Sequence, residues 1–292
     1  MAKNPPTVRM RRLGAQLRKI REDRGLTLDE AANRLKLSKS ALNRMENAQV
    51  VVRRHETEYL LIKYGVADAD LRDALLGLAS AGRSKEWVKR HGALSPDSPV
   101  KDLVQLEQDS SAIRIFQPFG VPGILQTPDY ARAVIGSRPP RPNRDVDRAV
   151  AFRMARKEVL SRPVPARLDV VIGEAALRQR MGGAGVLRDQ LRYLLEASSP
   201  ANVGIRVLPY EVAKHPGFDG AFTMLDVETG AFTVVVIDSM MRSIYSEDDA
   251  NVERYSLVFT ELCAAALPEA DSREMIEQVM SELESAPREG TK

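Results

Sequence analysis

The chain has 292 residues, which is enough for about two domains of roughly 100 to 200 residues each. Its single cysteine, Cys263, excludes an internal disulfide framework and a cysteine-rich zinc site. The net charge is +3, but residues 1–94 carry 20 Lys or Arg against 11 Asp or Glu, whereas the other residues carry 23 against 29. The basic first third is therefore predicted to bind a polyanion, and the acidic remainder is not.

No segment has the pattern of a targeting or membrane sequence. Residues 1–12 are basic but are not followed by the apolar core of a secretory signal. The longest apolar run, residues 231–237, is far shorter than a bilayer span. We therefore expect a soluble, cytoplasmic protein that does not bind membranes.

The first third has helical spacing throughout. Leu13, Leu17 and Ile20 recur at steps of four and three, and Gly65 can end a later helix. The spacing predicts five or six helices in an all-α N-terminal domain of residues 1–91. Residues 92–99 contain Gly, Ser and two prolines, and we predict a linker there.

Residues 100–292 are predicted to form an α+β domain, because segments of strand length cluster without regular alternation with helices. The predicted strands are residues 113–116, 168–172, 203–208, 221–225 and 232–237. One predicted helix opens at Thr127 with Pro128 as its first residue. Three others are predicted at residues 143–160, 186–197 and 272–283.

Another long helix is predicted after Ser246, which would be its N-cap. Its apolar residues recur at alternating steps of three and four, and they are Val252, Tyr255, Phe259, Leu262 and Ala266. This apolar stripe packs either on the sheet or against a second subunit. The sheet is the preferred partner, because fewer than three heptads are weak support for a coiled coil.

Residues 27–47 have the pattern of two short helices joined by a tight turn. Thr27 and Glu30 form a capping box for the first helix, and Ser38 is the predicted N-cap of the second. Lys36 lies in the turn, where a left-handed backbone would cost on the order of 1 kcal/mol. The positions predicted to face the domain interior are Ala31, Leu35, Leu37, Leu42 and Met45.

The opposite face of the second helix carries side chains that suit base edges in DNA. The candidates for base contact are Lys39, Ser40, Asn43 and Arg44. The candidates for phosphate contact are Arg18, Thr27, Ser38, Asn47, Arg53 and Arg54, with further positive charge from Arg9, Arg11, Arg12 and Lys19. The alternative is a helical hairpin with a solvated basic face.

From residue 13 to about residue 64 the sequence resembles the Xre (Cro/C1-type) helix-turn-helix repressors. The similarity is carried by LTLDEAA at residues 26–32, LKLS at 35–38 and ENA at 46–48. Leu28 stands where the family usually has a phosphate-binding Gln, and Lys36 and Ala48 stand where it has Gly. The resemblance implies a DNA-binding domain whose second helix enters the major groove.

Residues 113–135, IRIFQPFGVPGILQTPDYARAVI, resemble the C-terminal domain of actinobacterial regulators of the WhiJ-like or Scr-type antitoxin-like group. The similarity continues through residues 148–160, 170–180, 190–210 and 215–226. It implies a transcriptional regulator that is often encoded beside a small partner protein. Residues 236–238 read Val-Ile-Asp where that group commonly has Tyr-Val-Glu.

The C-terminal domain offers further candidate sites. A stiff turn at residues 122–128 presents Gln117, Gln126 and Tyr130, with Phe116 beside them, and it is either a ligand or partner surface or a structural clamp between a strand and a helix. The loop at residues 215–217 is interpreted as a turn, with ligand contact by His215 as the alternative. A second basic run is either a solvated helix face, which is preferred, or an anion site; it comprises Arg141, Arg144, Arg148, Arg153 and Arg156.

No enzyme pattern is present. The three histidines share no metal-ligand spacing, and residues 181–185, MGGAG, follow a helix and lack the Lys-Ser/Thr of a phosphate-binding loop. We therefore expect no catalytic residues, no metal and no cofactor.

Together these patterns predict a sequence-specific transcriptional regulator that binds a double-stranded DNA operator, has a C-terminal regulatory domain and forms a homodimer, since one recognition helix contacts few base pairs. The alternative is an antitoxin-like protein that binds a small protein encoded by an adjacent gene and regulates its own operon.

Overall fold

The structure is a computed structural model that describes residues 6–80, 87, 90–91, 101–139, 145–227, 232–238 and 243–285. The predicted linker at residues 92–99 lies outside the described residues, as do Arg141 and Arg144. The chain divides into two compact units. The first is Met1–Asp109 with Asp226–Val234, and the second is Ser110–Leu225 with Val235–Lys292.

The first unit is built from helices whose starts are encoded locally. The helices are α1 (Val8–Glu22), α2 (Leu28–Leu35), α3 (Lys39–Glu46), α4 (Arg54–Tyr64), α5 (Ala69–Leu78) and α6 (Lys101–Asp109). The side chains of Thr7, Thr27, Ser38 and Asp68 each accept a hydrogen bond from the main chain of the first turn. The predicted all-α N-terminal region is confirmed.

The core of the first unit is formed by the apolar faces of these helices. Leu17, Leu35, Leu42, Leu60 and Leu61 are at most 1% exposed. Of the predicted interior positions, Ala31, Leu35 and Leu42 are buried, and Leu37 and Met45 are half-buried. Burial of these side chains stabilises α2 and α3, because helices of eight residues are unstable in isolation.

The backbone at Lys36 has the predicted left-handed conformation. Lys36 ends α2 with φ 55° and ψ 39°, and its amide donates to carbonyls of α2. Among the described residues, only Ala48 (φ 54°) is another non-glycine residue with positive φ. Gly65 ends α4 in the same conformation, which also agrees with the prediction.

We expect Lys36→Gly to stabilise the first unit by about 1 kcal/mol, because glycine adopts the left-handed conformation without a steric cost from Cβ. The side chain of Lys36 is exposed, so its loss removes little packing. Hydrogen exchange of the α2 and α3 amides in the full-length protein measures the effect. Lys36→Ala is the control and should show no such gain, since alanine keeps the Cβ. Destabilisation by Lys36→Gly would contradict the proposed strain.

The α+β part contains a six-stranded sheet in the order β3-β2-β1-β4-β5-β6. Its strands are β1 (Ser110–Gln117), β2 (Arg167–Gly173), β3 (Val203–Leu208), β4 (Phe222–Val227), β5 (Phe232–Asp238) and β6 (Ser243–Ser246). β1 pairs in parallel with β2, with Ile113 beside Leu168, and β2 pairs in parallel with β3. β5 and β6 are antiparallel. The predicted α+β class is confirmed.

The helices of this part are α7 (Pro128–Gly136), α8 (Val146–Ala155), α9 (Ala175–Arg178), α10 (Ala184–Ala197), α11 (Asp249–Ala265) and α12 (Glu269–Ser285). Short 3-10 turns lie at Gly123–Leu125, Arg156–Leu160 and Pro216–Asp219. Thr127 caps α7 and Pro128 is its first residue, as predicted.

One prediction in this region is wrong, and one strand was not predicted. The helix after residue 246 begins later than expected, because Asp248 is its N-cap and accepts from the Asn251 amide. Ser246 instead ends β6, a strand that was not predicted since it has only four residues and no apolar run. The strand therefore ends at Ser246, and the helix cap follows two residues later at Asp248.

The apolar stripe of α11 packs on the sheet, which confirms the preferred interpretation. Phe259, Leu262 and Ala266 belong to a buried cluster with side chains of the strands. The strand members of that cluster are Phe116, Val171, Leu208, Phe222, Met224 and Val235. Val252 and Tyr255 pack against it and are partly buried. No helix in the described part of the chain is both long and apolar enough to cross a membrane.

Candidate DNA-binding interface

The closest approach of α1 to α3 depends on a glycine. A Cβ atom at Gly14 would lie 2.6 Å from the carbonyl oxygen of Glu46 and 2.8 Å from that of Met45. These distances are shorter than a carbon–oxygen contact allows, so only glycine permits this approach. Gly14 therefore fixes the position of α3 against α1.

A buried ion pair joins the same two helices. Arg21 Nε donates to Glu46 Oε1 at 2.7 Å, and Nη2 donates to Oε2 at 2.9 Å. The two side chains are 10% and 1% exposed. Arg21 Nη1 also donates to the Leu26 carbonyl at 2.9 Å, which connects the pair to the turn before α2. The hydrogen bond to Glu46 raises the pKa of Arg21, and burial followed by the Glu46 charge raises the pKa of Tyr64 to about 12.

The capping box of α2 is formed as predicted. The Glu30 amide donates to Thr27 Oγ1 at 3.3 Å, and the Thr27 amide donates to Glu30 Oε2 at 2.8 Å. The Thr27 hydroxyl also donates to Glu30 Oε2 at 2.7 Å. The hydrogen bonds from the Thr27 hydroxyl and the Thr27 amide lower the pKa of Glu30. Ser38 Oγ accepts from the Ala41 amide at 3.1 Å, so both helices begin at fixed residues.

The four candidates for base contact are all exposed on one face of α3. Lys39 Nζ lies 2.7 Å from Asp29 Oδ2, but both side chains are more than half exposed. Surface ion pairs of this kind are worth roughly 0 to 1 kcal/mol, so the ammonium can exchange this partner for DNA. Arg44 Nη1 donates to Ser40 Oγ at 2.8 Å. The structure thus brings Lys39, Ser40, Asn43 and Arg44 together, as their spacing predicts.

The phosphate candidates lie in several places. Thr27, Ser38, Asn47 and Arg53 are exposed, and Arg18 is 43% exposed at its side chain. Arg54 points toward the end of α5, where Nη1 donates to the Leu76 carbonyl and to Ser80 Oγ.

Arg9, part of the further basic set, also makes contacts inside the first unit. It pairs with Asp109 at 2.7 Å, and the Asp109 side chain is 0% exposed. Its Nη1 donates to the carbonyls of Gly77 and Ser80. Arg9 and Arg54 therefore join helices of the first unit. Arg18, Arg53 and Arg54 all have the exposure that contact with DNA requires.

Sequence reasoning missed the Arg21–Glu46 pair, although a signal was present. Arg21 follows Leu17 by four residues, and Glu46 follows Leu42 by four, so each charge lies on the apolar face of its helix. Opposite charges on two apolar faces that meet predict a buried pair, since a buried charge needs a partner. Gly14 had no comparable signal, because its role depends on how closely two helices cross.

Polar side chains are buried around the turn at residues 122–128, and two of the candidates, Gln126 and Tyr130, are among them. Gln126 is 4% exposed; its Nε2 donates to the Val121 carbonyl at 2.7 Å, and its Oε1 accepts from Arg153 Nη1 at 2.6 Å. Tyr130 is also buried, and burial raises its pKa. Gln190, missed by sequence reasoning, is fully buried and bonds to the Leu125 carbonyl and the Thr127 amide, both at 2.7 Å.

Phe116 and His215 both lie close to Gly217. Phe116 is fully buried, and a Cβ atom at Gly217 would lie 2.5 Å from its ring. His215 Nδ1 accepts from the Gly217 amide at 3.1 Å, and its ring stacks on the exposed Phe218. Gln117 is half-buried at the end of β1, beside Ile172. The burial of Phe116, Gln126 and Tyr130 favours the structural interpretation of this turn.

The described arginines of the second basic run lie in different environments. Arg148 is exposed, Arg153 bonds to Gln126, and Arg156 is 9% exposed. Nearby, Lys157 Nζ lies 3.9 Å from the centre of the Tyr193 ring, and burial lowers its pKa to about 8. Within the described ranges, no three His, Cys, Asp or Glu side chains are grouped so as to bind a metal ion.

The two parts of the chain match two different protein families. Residues 12–75 match a helix-turn-helix domain family, which agrees with the geometry of α2 and α3. This domain suggests a DNA-binding regulator. Comparisons with curated proteins and with solved structures gave no match. Residues 100–278, more than half of the chain, match a domain of unknown function, DUF5753. The protein therefore belongs to the DUF5753 family and carries a helix-turn-helix domain before its DUF5753 domain.

Proposed function

We propose that the protein is a sequence-specific transcriptional regulator that binds a double-stranded DNA operator through α3. The observation that carries this proposal is the exposed face of α3, where Lys39, Ser40, Asn43 and Arg44 lie side by side on a helix with a rigid support. Gly14 and the Arg21–Glu46 pair fix that helix from behind. A rigid helix with exposed donors suits the major groove, whose base edges carry acceptors.

In this proposal the protein binds as a homodimer in the cytoplasm. One recognition helix of this kind contacts only a few base pairs, and two half-sites one DNA turn apart provide the missing specificity. The DUF5753 domain would then serve regulation rather than DNA contact, since residues 95–292 carry 29 Asp or Glu against 23 Lys or Arg. The role assigned is binding, not catalysis. Binding of a small protein encoded nearby stays a prediction from the sequence resemblance.

The proposal is tested by Arg44→Ala. A duplex selected from a random pool by the full-length protein serves as the operator, and an unselected duplex of equal length serves as the reference. Because Arg44 would contact a base edge, its loss should weaken operator binding by about 1 to 3 kcal/mol and reference binding much less. Fluorescence anisotropy at one fixed salt concentration measures both affinities.

Lys63→Ala is the matched control, since Lys63 is an exposed cation on α4 whose ammonium lies over the Tyr59 ring. It should change both affinities equally and slightly. An equal loss on both duplexes for Arg44→Ala would contradict the base-contact role of Arg44. Failure of the wild-type protein to select any duplex would contradict the proposed function itself.

A further inference from the structure

Three side chains form a chain of hydrogen bonds across the exposed end of α3. Arg18 Nη2 donates to Asn47 Oδ1 at 2.8 Å. Asn47 Nδ2 then donates to the main-chain oxygen of Asn43 at 2.8 Å and to Asn43 Oδ1 at 2.9 Å. These hydrogen bonds therefore connect Arg18 of α1, through Asn47 at the end of α3, to Asn43, one of the candidates for base contact.

The direction of every bond in this chain is determined by two groups that cannot change roles. A guanidinium has donors only, so Asn47 must turn its oxygen toward Arg18. A main-chain carbonyl has an acceptor only, so Asn47 must turn its nitrogen toward Asn43. Both requirements select the same orientation of the Asn47 amide. The Asn43 side chain must then present an acceptor to Asn47, which is its Oδ1.

The amide of Asn43 is therefore oriented with its oxygen toward Asn47 and its nitrogen away from it. Asn43 is exposed, and within the described part of the chain its Nδ2 has no protein partner. The group that Asn43 turns away from Asn47 is therefore a donor. Its two N–H groups suit an acceptor, such as guanine O6 or N7, thymine O4 or adenine N7, whereas the major-groove edge of cytosine offers only a donor.

The neighbouring side chain of α3 has the same preference. Ser40 Oγ accepts from Arg44 Nη1, so the hydroxyl hydrogen of Ser40 is left to donate elsewhere. Lys39 and Arg44 have donors only. The exposed face of α3 thus presents hydrogen-bond donors at all four candidate positions.

We propose that Asn47 is a positioning residue that determines the base preference of Asn43, and that Asn43 consequently selects guanine or thymine, which present acceptors, over cytosine, which presents a donor. This inference rests on the proposed function, because it assumes that α3 contacts base edges. Asn47 itself need not touch DNA. Its effect is the orientation of the Asn43 amide.

The experiment uses the full-length protein and duplexes selected from a random pool. The base pair contacted by Asn43 is the one whose preference is lost in Asn43→Ala. At that position the wild-type protein should bind guanine or thymine about tenfold more tightly than cytosine, the ratio expected for one directional hydrogen bond. In Asn47→Ala the Asn43 amide can rotate, and the ratio should fall to about twofold.

Asn47→Asp gives the sharpest result, because a carboxylate has acceptors only. Asn43 must then turn Nδ2 toward residue 47 and present its oxygen to the base, so the preference should move toward cytosine, whose N4 is a donor. Asn33→Asp is the matched control, since Asn33 is an exposed asparagine on α2 and the substitution adds the same charge. It should lower affinity without changing the base ratio. Circular dichroism shows that each variant is folded.

A cytosine preference in the wild-type protein would overturn the inference. An unchanged base ratio in Asn47→Ala and Asn47→Asp would overturn it as well, and if one of these variants does not fold the other decides. These outcomes leave the proposed function intact, because the wild-type protein still selects an operator. If the wild-type protein selects none, the proposed function fails first.

Discussion

Replacement of Arg21 by methionine is expected to lower the free energy of unfolding of the first unit by about 3 to 5 kcal/mol. The substitution leaves the Glu46 carboxylate, which is 1% exposed, without its bidentate partner. It also leaves the Leu26 carbonyl without the bond from Arg21 Nη1. Methionine fills much of the volume of the arginine stem, so the loss reports the charge rather than a cavity. Hydrogen exchange of the α1 and α3 amides in the full-length protein measures the change.

The double variant Arg21→Met with Glu46→Leu is the control for this prediction. It removes both charges from the buried site, and such replacements are often neutral or stabilising. We expect it to regain most of the lost stability. If the single and double variants were equally unstable, the cost would come from packing at this site and not from an uncompensated carboxylate. The double variant also tests whether DNA binding needs the pair or only a stable contact between α1 and α3.

Gly14→Ala is expected to destabilise the first unit by about 3 kcal/mol, at the upper end of the usual cost of overpacking. The added Cβ would lie 2.6 Å and 2.8 Å from two main-chain oxygens of α3. Main-chain atoms cannot move aside as a flexible side chain can, so α1 must shift relative to α3. Because α3 carries the candidates for base contact, operator binding should fall even under conditions in which the variant is folded.

Gly136→Ala is the matched control, since Gly136 lies at the end of α7 and a Cβ there meets no atom within 4 Å. Alanine favours the helix over glycine by roughly 1 kcal/mol in helix interiors, so this variant should be neutral or slightly more stable. Thermal unfolding of both variants, monitored by circular dichroism, gives the comparison. A neutral Gly14→Ala would mean that α1 and α3 can separate without cost, which contradicts the close crossing.

The two faces of α3 contribute to the proposed interface in different ways. The outer face of α3 supplies exposed donors, and the inner face supplies Leu42 and Glu46, which hold the helix in place. An eight-residue helix has little stability of its own, so its orientation is determined by these tertiary contacts. Substitutions on the inner face should therefore alter stability and DNA binding together, whereas Arg44→Ala should alter binding alone.

The local features of the chain could be predicted from the sequence because they depend on residues a few positions apart. The capping box of Thr27 and Glu30, the Ser38 cap and the left-handed backbone at Lys36 all involve at most four neighbouring residues. The five predicted strands were found because each is an apolar run with β-branched residues. β6 has only four residues and no such run, and so it gave no signal.

The sequence by itself thus determined the helical first unit, the α+β second part and the outward face of α3, since these follow from periodicity and capping. Only the tertiary structure decided that Gly14 contacts α3, that the apolar faces carrying Arg21 and Glu46 meet, and that Gln126 is buried. The same holds for the orientation of the Asn43 amide, which depends on Arg18 of α1, 29 residues from Asn47. The physical reason is that hydrogen-bond direction and close approach depend on distances between elements, and the spacing of residues within one element does not contain those distances.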